Sequence, residues 1–153
     1  MKNELHDLVK VAEEIQSLVA SCVKEWAKLK DSIAETRPAP DSWSPKEIIG
    51  HLIDSASNNH QRFVRLQIRN VLIFPDYSQD NDKWVKVQRY QQKSWNELLS
   101  LWQHFNLHLA WITRTVSPDV LNHSWRLDDN TQISLCDLMI DYLRHLRVHV
   151  DQV

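Results

Sequence analysis

The chain has 153 residues and a net charge of −2, with 18 basic and 20 acidic side chains mixed along its length. A chain of this size fits one domain over residues 1–153 and can bury a core without disulfides or a structural metal. The balanced charge offers no basic stripe for nucleic acid and no polybasic anchor for a membrane, so a small molecule is the expected partner. A single glycine, Gly50, excludes phosphate-cradling and dinucleotide-binding loops and argues against tight β-hairpin architectures, leaving a helical protein. Cys22 and Cys136 lie far apart, with no CxxC spacing, and are expected as reduced core residues. The start of the chain lacks a charged segment followed by an apolar block, and no run approaches membrane-spanning length, so a cytoplasmic location is expected.

The first predicted helix runs from about Asn3 to Ile33, with Leu5, Leu8, Ala12, Ile15, Leu18, Val19, Cys22, Val23, Trp26 and Leu29 on its inward face, and the stretch from Arg37 to Pro40 ends it. The second begins at Ser44-Pro45-Lys46-Glu47, where Ser44 can cap, Pro45 suits the first helical position and Glu47 can complete a capping box. It should reach about Arg69. Residues Asn70 to Lys93 have mixed periodicity and read as a long ordered crossover with one short helix, a length that lets helices two and three run parallel.

Helix three opens at Ser94-Trp95-Asn96-Glu97, read as a second capping box, and ends before Pro118 with Leu98, Leu101, Trp102, Phe105, Leu109, Ile112 and Val116 as its stripe. In the following loop, Ser124–Leu127 and Thr131–Ile133 can pair around Asp128-Asp129-Asn130. Helix four begins at Ser134-Leu135-Cys136-Asp137 and continues to the end. The fold class is all-α, a four-helix bundle with a long crossover between helices two and three.

The chemistry concentrates in the histidines. His145 and His149, four apart on helix four, stack their imidazoles near enough to share one metal ion, and both fall at the edge of the inward arc. The same spacing also occurs on solvated or core-edge helix faces. On helix two, His51, Ser55, Asn58 and Arg62 form one polar stripe beside the apolar face, which places a third histidine toward a groove between helices. Three neutral imidazoles leave coordination positions open, the arrangement of a catalytic site more than of a closed structural one. His104 and His108 share the four-residue spacing but sit on the outer flank of helix three beside Trp111, and read as surface or crossover contacts. His6, His60 and His123 read as bystanders.

Asp54 and Asp141 are placed to orient ligand histidines, or equally to pair with a nearby arginine. Arg62 can hold an anionic substrate group or a carboxylate of the chain. Trp43, Trp84 and Trp125 lie in or beside loops and can wall a pocket mouth, although tryptophans are more often packing residues. No Ser-His-Asp order or reactive-cysteine pattern stands out.

The segment Trp43-Ser44-Pro45-Lys46-Glu47-Ile48-Ile49-Gly50-His51-Leu52-Ile53-Asp54-Ser55, continuing through Asn58 to Arg62-Phe63, resembles the DinB-like superfamily of metal-binding four-helix bundles, particularly its YfiT-like branch. His145-Leu146-Arg147-Val148-His149 is the second matching segment, and Pro75-Asp76-Tyr77 followed by Trp84 is similar to that branch's crossover loop. The resemblance implies up-down-down-up topology, one divalent metal ion on His51, His145 and His149, and a homodimer. It implies a metal-dependent hydrolase or a thiol S-transferase, in which the ion activates a water or a low-molecular-weight thiol. Zn²⁺ or Ni²⁺ is the expected ion, with Fe²⁺ and Mn²⁺ as alternatives. A non-catalytic metal-binding stress-response or ligand-binding module is the competing expectation.

Overall fold

The computed structural model describes residues 2–73 and 79–153, so the predicted crossover residues Pro75, Asp76 and Tyr77 lie outside the described residues. Four long helices dominate it: α1 (Lys2–Trp26), α3 (Pro45–Leu66), α5 (Trp95–Thr115) and α6 (Leu135–Val150). Two shorter ones, α2 (Asp31–Ala34) and α4 (Asn81–Gln88), lie in the connections. No helix among the described residues is long and apolar enough to cross a membrane.

The helix starts follow local chemistry. Ser44 accepts a hydrogen bond from the Glu47 amide while Glu47 accepts one from the Ser44 amide, a complete capping box with Pro45 in the first turn. At α5 the expected box is only half made. Ser94 Oγ accepts from the Glu97 amide, but the Glu97 carboxylate takes the Ser94 hydroxyl at 2.9 Å instead of its amide. Ser134 caps α6 in the same manner with Asp137.

The first helix ends at Trp26, short of the predicted Ile33. A long-range contact accounts for the break: the Trp95 indole donates to the Trp26 carbonyl at 2.7 Å. Asp31, five residues on, bridges the Trp95 amide at 2.6 Å and the buried Lys46 ammonium at 2.7 Å. The chain therefore turns and forms α2 where one continuous helix would carry Asp31 away from both partners. The second helix likewise stops at Leu66, three residues before the expected Arg69.

The crossover is more structured than its periodicity suggests. It contains a strand, β1 (Val71–Leu72), then α4 and a 3-10 turn over Tyr90–Gln92. The predicted pairing after α5 forms as β2 (Ser124–Arg126) and β3 (Gln132–Ser134), antiparallel with Trp125 opposite Ile133. Asn130 takes the left-handed turn conformation, φ 66°, that glycine usually supplies. β1 adds in parallel to β2, giving a three-stranded sheet that no local pattern announced and that qualifies the all-α expectation.

The core lies among the four long helices, with α1 and α3 each packed on both α5 and α6. Trp26 at the end of α1 lies against Trp95 at the start of α5 and against Trp102, and Arg114 near the end of α5 faces Glu13. The predicted inward faces hold in their centres: Leu8, Ala12, Ile15, Leu98, Trp102 and Leu109 are fully buried, while Leu18, Cys22, Val23, Leu29 and Phe105 are only partly so; Leu52 and Phe63 of α3 and Leu146 of α6 complete the core. Leu101, expected in the α5 stripe, is 48% exposed, because it sits one position outside the face shared with α1 and α3. Tyr142 donates to Asn106 Oδ1 at 2.5 Å, and Asn106 donates to the Trp102 carbonyl, so this buried polar pair is satisfied.

Gly50 is required by a close approach, not by a turn. A Cβ built there would lie 2.1 Å from Cδ2 of the Tyr90 ring, which rests on the α3 backbone at this point. Gly50→Ala, ordinarily favourable in a helix interior by about 1 kcal/mol, is expected instead to destabilise the protein by about 1–3 kcal/mol through overpacking. Urea unfolding of the two proteins measures the sign directly.

Candidate metal centre

Three imidazoles meet between α3 and α6. His51 and His145 have ring centroids 5.6 Å apart, His51 and His149 4.8 Å, and His145 and His149 4.6 Å. One ring nitrogen from each lies within 4.8 Å of the other two, so the three can hold one metal ion. The four-residue spacing on α6 stacks His145 over His149, and the packing of α3 against α6 brings His51 to them.

The environment favours neutral rings. Burial, then the neighbouring imidazoles His149 and His145, pushes the His51 pKa down to about 4. Burial and His149 push His145 down to about 4 as well, against the raising influence of Asp141. His51 Nδ1 is buried with no hydrogen-bond partner among the described residues, a costly state for a polar atom unless something else satisfies it. Ser55 Oγ lies 3.3 Å from His145 Nδ1, and Gln152 Oε1 3.1 Å from His149 Nδ1. Both contacts engage Nδ1, and a ring with its proton on Nδ1 presents Nε2 as its lone pair.

A cavity of about 890 Å³ opens beside His51 and His145. Ser55, Asn58 and Arg62, the predicted stripe on α3, line one wall, and Asp141 with Arg144 lines the other. The Arg62 guanidinium stacks over the Trp125 ring at 4.0 Å, and Asn58 donates to Gln79 Oε1 at 2.7 Å. Trp43 covers His51 from another side, its ring 5.1 Å from the imidazole and its indole N–H on Asp82. Of the three loop tryptophans, Trp125 therefore walls the cavity and Trp43 shields the histidine, while Trp84 is not among the cavity's lining residues.

Of the two readings open for each carboxylate, Asp141 takes the arginine pair and Asp54 takes neither. Asp54 is buried and accepts from Tyr90 Oη at 2.7 Å and Gln88 Nε2 at 2.6 Å. Burial raises its pKa, partly offset by these hydrogen bonds. Asp141 pairs with Arg144 at 2.6 Å, one helical turn on, and reaches His145 only through its charge. The residues that do touch the rings' outer nitrogens are Ser55 and Gln152. Gln152 lies three residues after His149 and was accessible to the same helical-wheel reasoning; Gln79, Gln88 and Tyr90 come from the crossover and carried no local signal.

Among the remaining histidines, His104 is exposed and its Nδ1 meets the Ser100 carbonyl of its own helix, as a surface residue would. His123 is a structural tie, its Nδ1 2.5 Å from the Leu66 carbonyl.

A model of the DinB superfamily matches residues 14–153. Among solved structures, YfiT from Bacillus subtilis, described as a probable metal-dependent hydrolase with an unusual four-helix bundle topology, superposes with a TM-score of 0.78 at 20% identity over 100% of this chain and 85% of its own. A mycothiol-dependent maleylpyruvate isomerase superposes with a TM-score of 0.72 at 13% identity over 96% of this chain, which spans 59% of the isomerase. No curated protein sequence matches the chain.

The depressed histidine pKa values set a pH dependence for the chelator-treated protein. Unfolded imidazole titrates near pH 6.5, and the folded rings only near 4. The unfolded state therefore binds more protons in between, and stability, full above about 6.5, falls as pH drops through that window. For buried His51 alone, the loss between pH 7 and 4.5 is on the order of 2–3 kcal/mol. Urea midpoints across this range should fall more steeply than those of a His51→Gln variant; parallel curves would refute the assignment.

Proposed function

The chain belongs to the DinB superfamily, and on that premise we propose that it is a divalent-metal-dependent enzyme acting on a small molecule held in the cavity beside His51 and His145. The observation that carries this reading is the convergence of three imidazoles at the edge of a polar cavity, with the buried Nδ1 of His51 otherwise unsatisfied. The donor set fits the ion: all-imidazole, with burial holding His51 and His145 neutral, and three in number, which leaves positions for ligands from outside the protein. Such an ion supplies Lewis acidity, lowering the pKa of a water or thiol so that a nucleophile exists near neutral pH.

The chain's own residues supply the rest. His51, His145 and His149 are the ligands in this proposal. Ser55 and Gln152 hold the rings of His145 and His149 in one orientation through their Nδ1 atoms. Trp43 restricts water on the far side of His51, and Asn58 and Arg62 offer donors along the wall on which the substrate's polar groups would lie. Asp141, with its charge toward His145, belongs to the same wall. Asp54 supports the site indirectly, holding the crossover on α3.

The substrate classes we favour follow the two relatives in fold: hydrolysis, as in the description of YfiT, or transfer to a low-molecular-weight thiol, as suggested by the mycothiol-dependent isomerase. We read the bundle as up-down-down-up, supported by the end of α1 meeting the start of α5 and by His51 of α3 meeting the last turns of α6. A homodimer and a cytoplasmic location complete the reading; exposed Leu101 and Trp111 on α5 offer apolar surface for a second copy, and neither Cys22 nor Cys136 is in a disulfide.

Tag-free protein is expected to retain about one equivalent of Zn²⁺ or Ni²⁺ at this site, and His51→Ala to weaken that binding by roughly 100-fold or more. Elemental analysis and competition with a chromophoric chelator measure both. Consumption of a small electrophile should depend on the metal, and adding low-molecular-weight thiols separates transfer from hydrolysis. Turnover indifferent to chelation would remove the mechanism, and turnover absent under every condition would leave a metal-binding module.

A further inference from the structure

A second pair of histidines stands on the opposite side of α3. His60 follows His51 by nine residues, which at about 100° per residue turns it roughly 180° around the helix, away from α6 and toward α5. There it meets His108, with ring centroids 5.3 Å apart and planes inclined by 39°. That separation lies inside the 4.6–5.6 Å spanned by the three imidazole pairs of the candidate metal centre. It is also the scale expected when two imidazoles, each about 2 Å from a shared ion, coordinate it together. Phe105 packs edge-on against His60 at 5.8 Å and limits its swing, while His108 is exposed.

We propose that His60 and His108 form a second, two-histidine metal site that clips α3 to α5 and takes a borderline divalent cation such as Cu²⁺, Ni²⁺ or Zn²⁺. Imidazole nitrogen suits these ions and not Mg²⁺ or Ca²⁺, which select oxygen. Burial and the neighbouring His108 hold the His60 pKa below its ordinary value, so that ring is a neutral donor at physiological pH. With two protein ligands the ion stays exchangeable. His104, one turn before His108, is not part of the pair, since its Nδ1 faces the Ser100 carbonyl. The site stands independently of the His51 centre, and its ligands come from different helices, so occupancy adds a cross-link to a bundle already folded.

The test uses the tag-free, chelator-stripped His51→Ala/His145→Ala protein, in which the first centre is disabled, with Cu²⁺ alone as the probe. One equivalent should bind, with electron paramagnetic resonance showing hyperfine coupling to two imidazole nitrogens, and the melting temperature should rise with Cu²⁺. Adding His60→Asn or His108→Gln should abolish the two-nitrogen signal and the shift, while His104→Gln should leave both. Thermal melts without metal confirm that each variant is folded. Absence of a two-nitrogen signal in the parent, its survival in both the His60 and the His108 variants, or its loss on His104→Gln with retention on His60→Asn would each overturn the proposal.

Discussion

The close contact between the Tyr90 ring and the α3 backbone at Gly50 is the constraint on which the site side of this protein depends. Only a residue without Cβ permits it. The contact brings Tyr90 Oη to Asp54 and, through Gln88, ties the end of α4 to the same carboxylate. One face of α3 is thereby occupied by the crossover. With α5 and α6 packed on it as well, His51 is left facing the last turns of α6. Trp43, hydrogen-bonded to Asp82 of α4, closes over the same histidine.

One turn earlier on α3, buried charge plays a comparable positioning role. Lys46 is almost wholly inaccessible, and its ammonium meets Asp31 and, more distantly, Glu35. Such a pair is weak evidence for net stability but strong evidence for register, because separating the partners strands a cation in the interior. Asp31 also receives the Trp95 amide, so the starts of α3 and α5 are held to a single carboxylate. Of the three clustered histidines, His51 is buried beside the apolar core, and His145 and His149 are not. A chain of this length can bury its core without a structural metal.

Much of this was legible locally. The caps at Ser44, Ser94 and Ser134 and the apolar stripes place the starts of three long helices, because capping and periodicity act over a few residues. The legible part of the site was likewise short-range: the four-residue step from His145 to His149 and the stripe from His51 to Arg62. The misses share a different origin. The early end of α1 depends on an indole 69 residues away, and the strand over Val71–Leu72 exists through a partner some fifty residues on. Asp54 shows the same limit: neither a histidine nor an arginine near it in sequence is its partner, and the groups it does bind sit 34 and 36 residues further along.

The sequence by itself determined the helical class, the starts of three long helices and the supply of imidazole on α3 and α6, since each follows from residue type and near-neighbour spacing, whereas the need for a glycine at position 50 comes from the distant Tyr90 ring. Helical spacing and resemblance pointed to His51 as partner of the pair on α6; only the tertiary structure decided how close the three rings come, and that His60, read as a bystander, turns to His108. Helical spacing fixes the angle at which a side chain leaves its own helix. Which helix it then meets is set by packing among segments far apart in the chain.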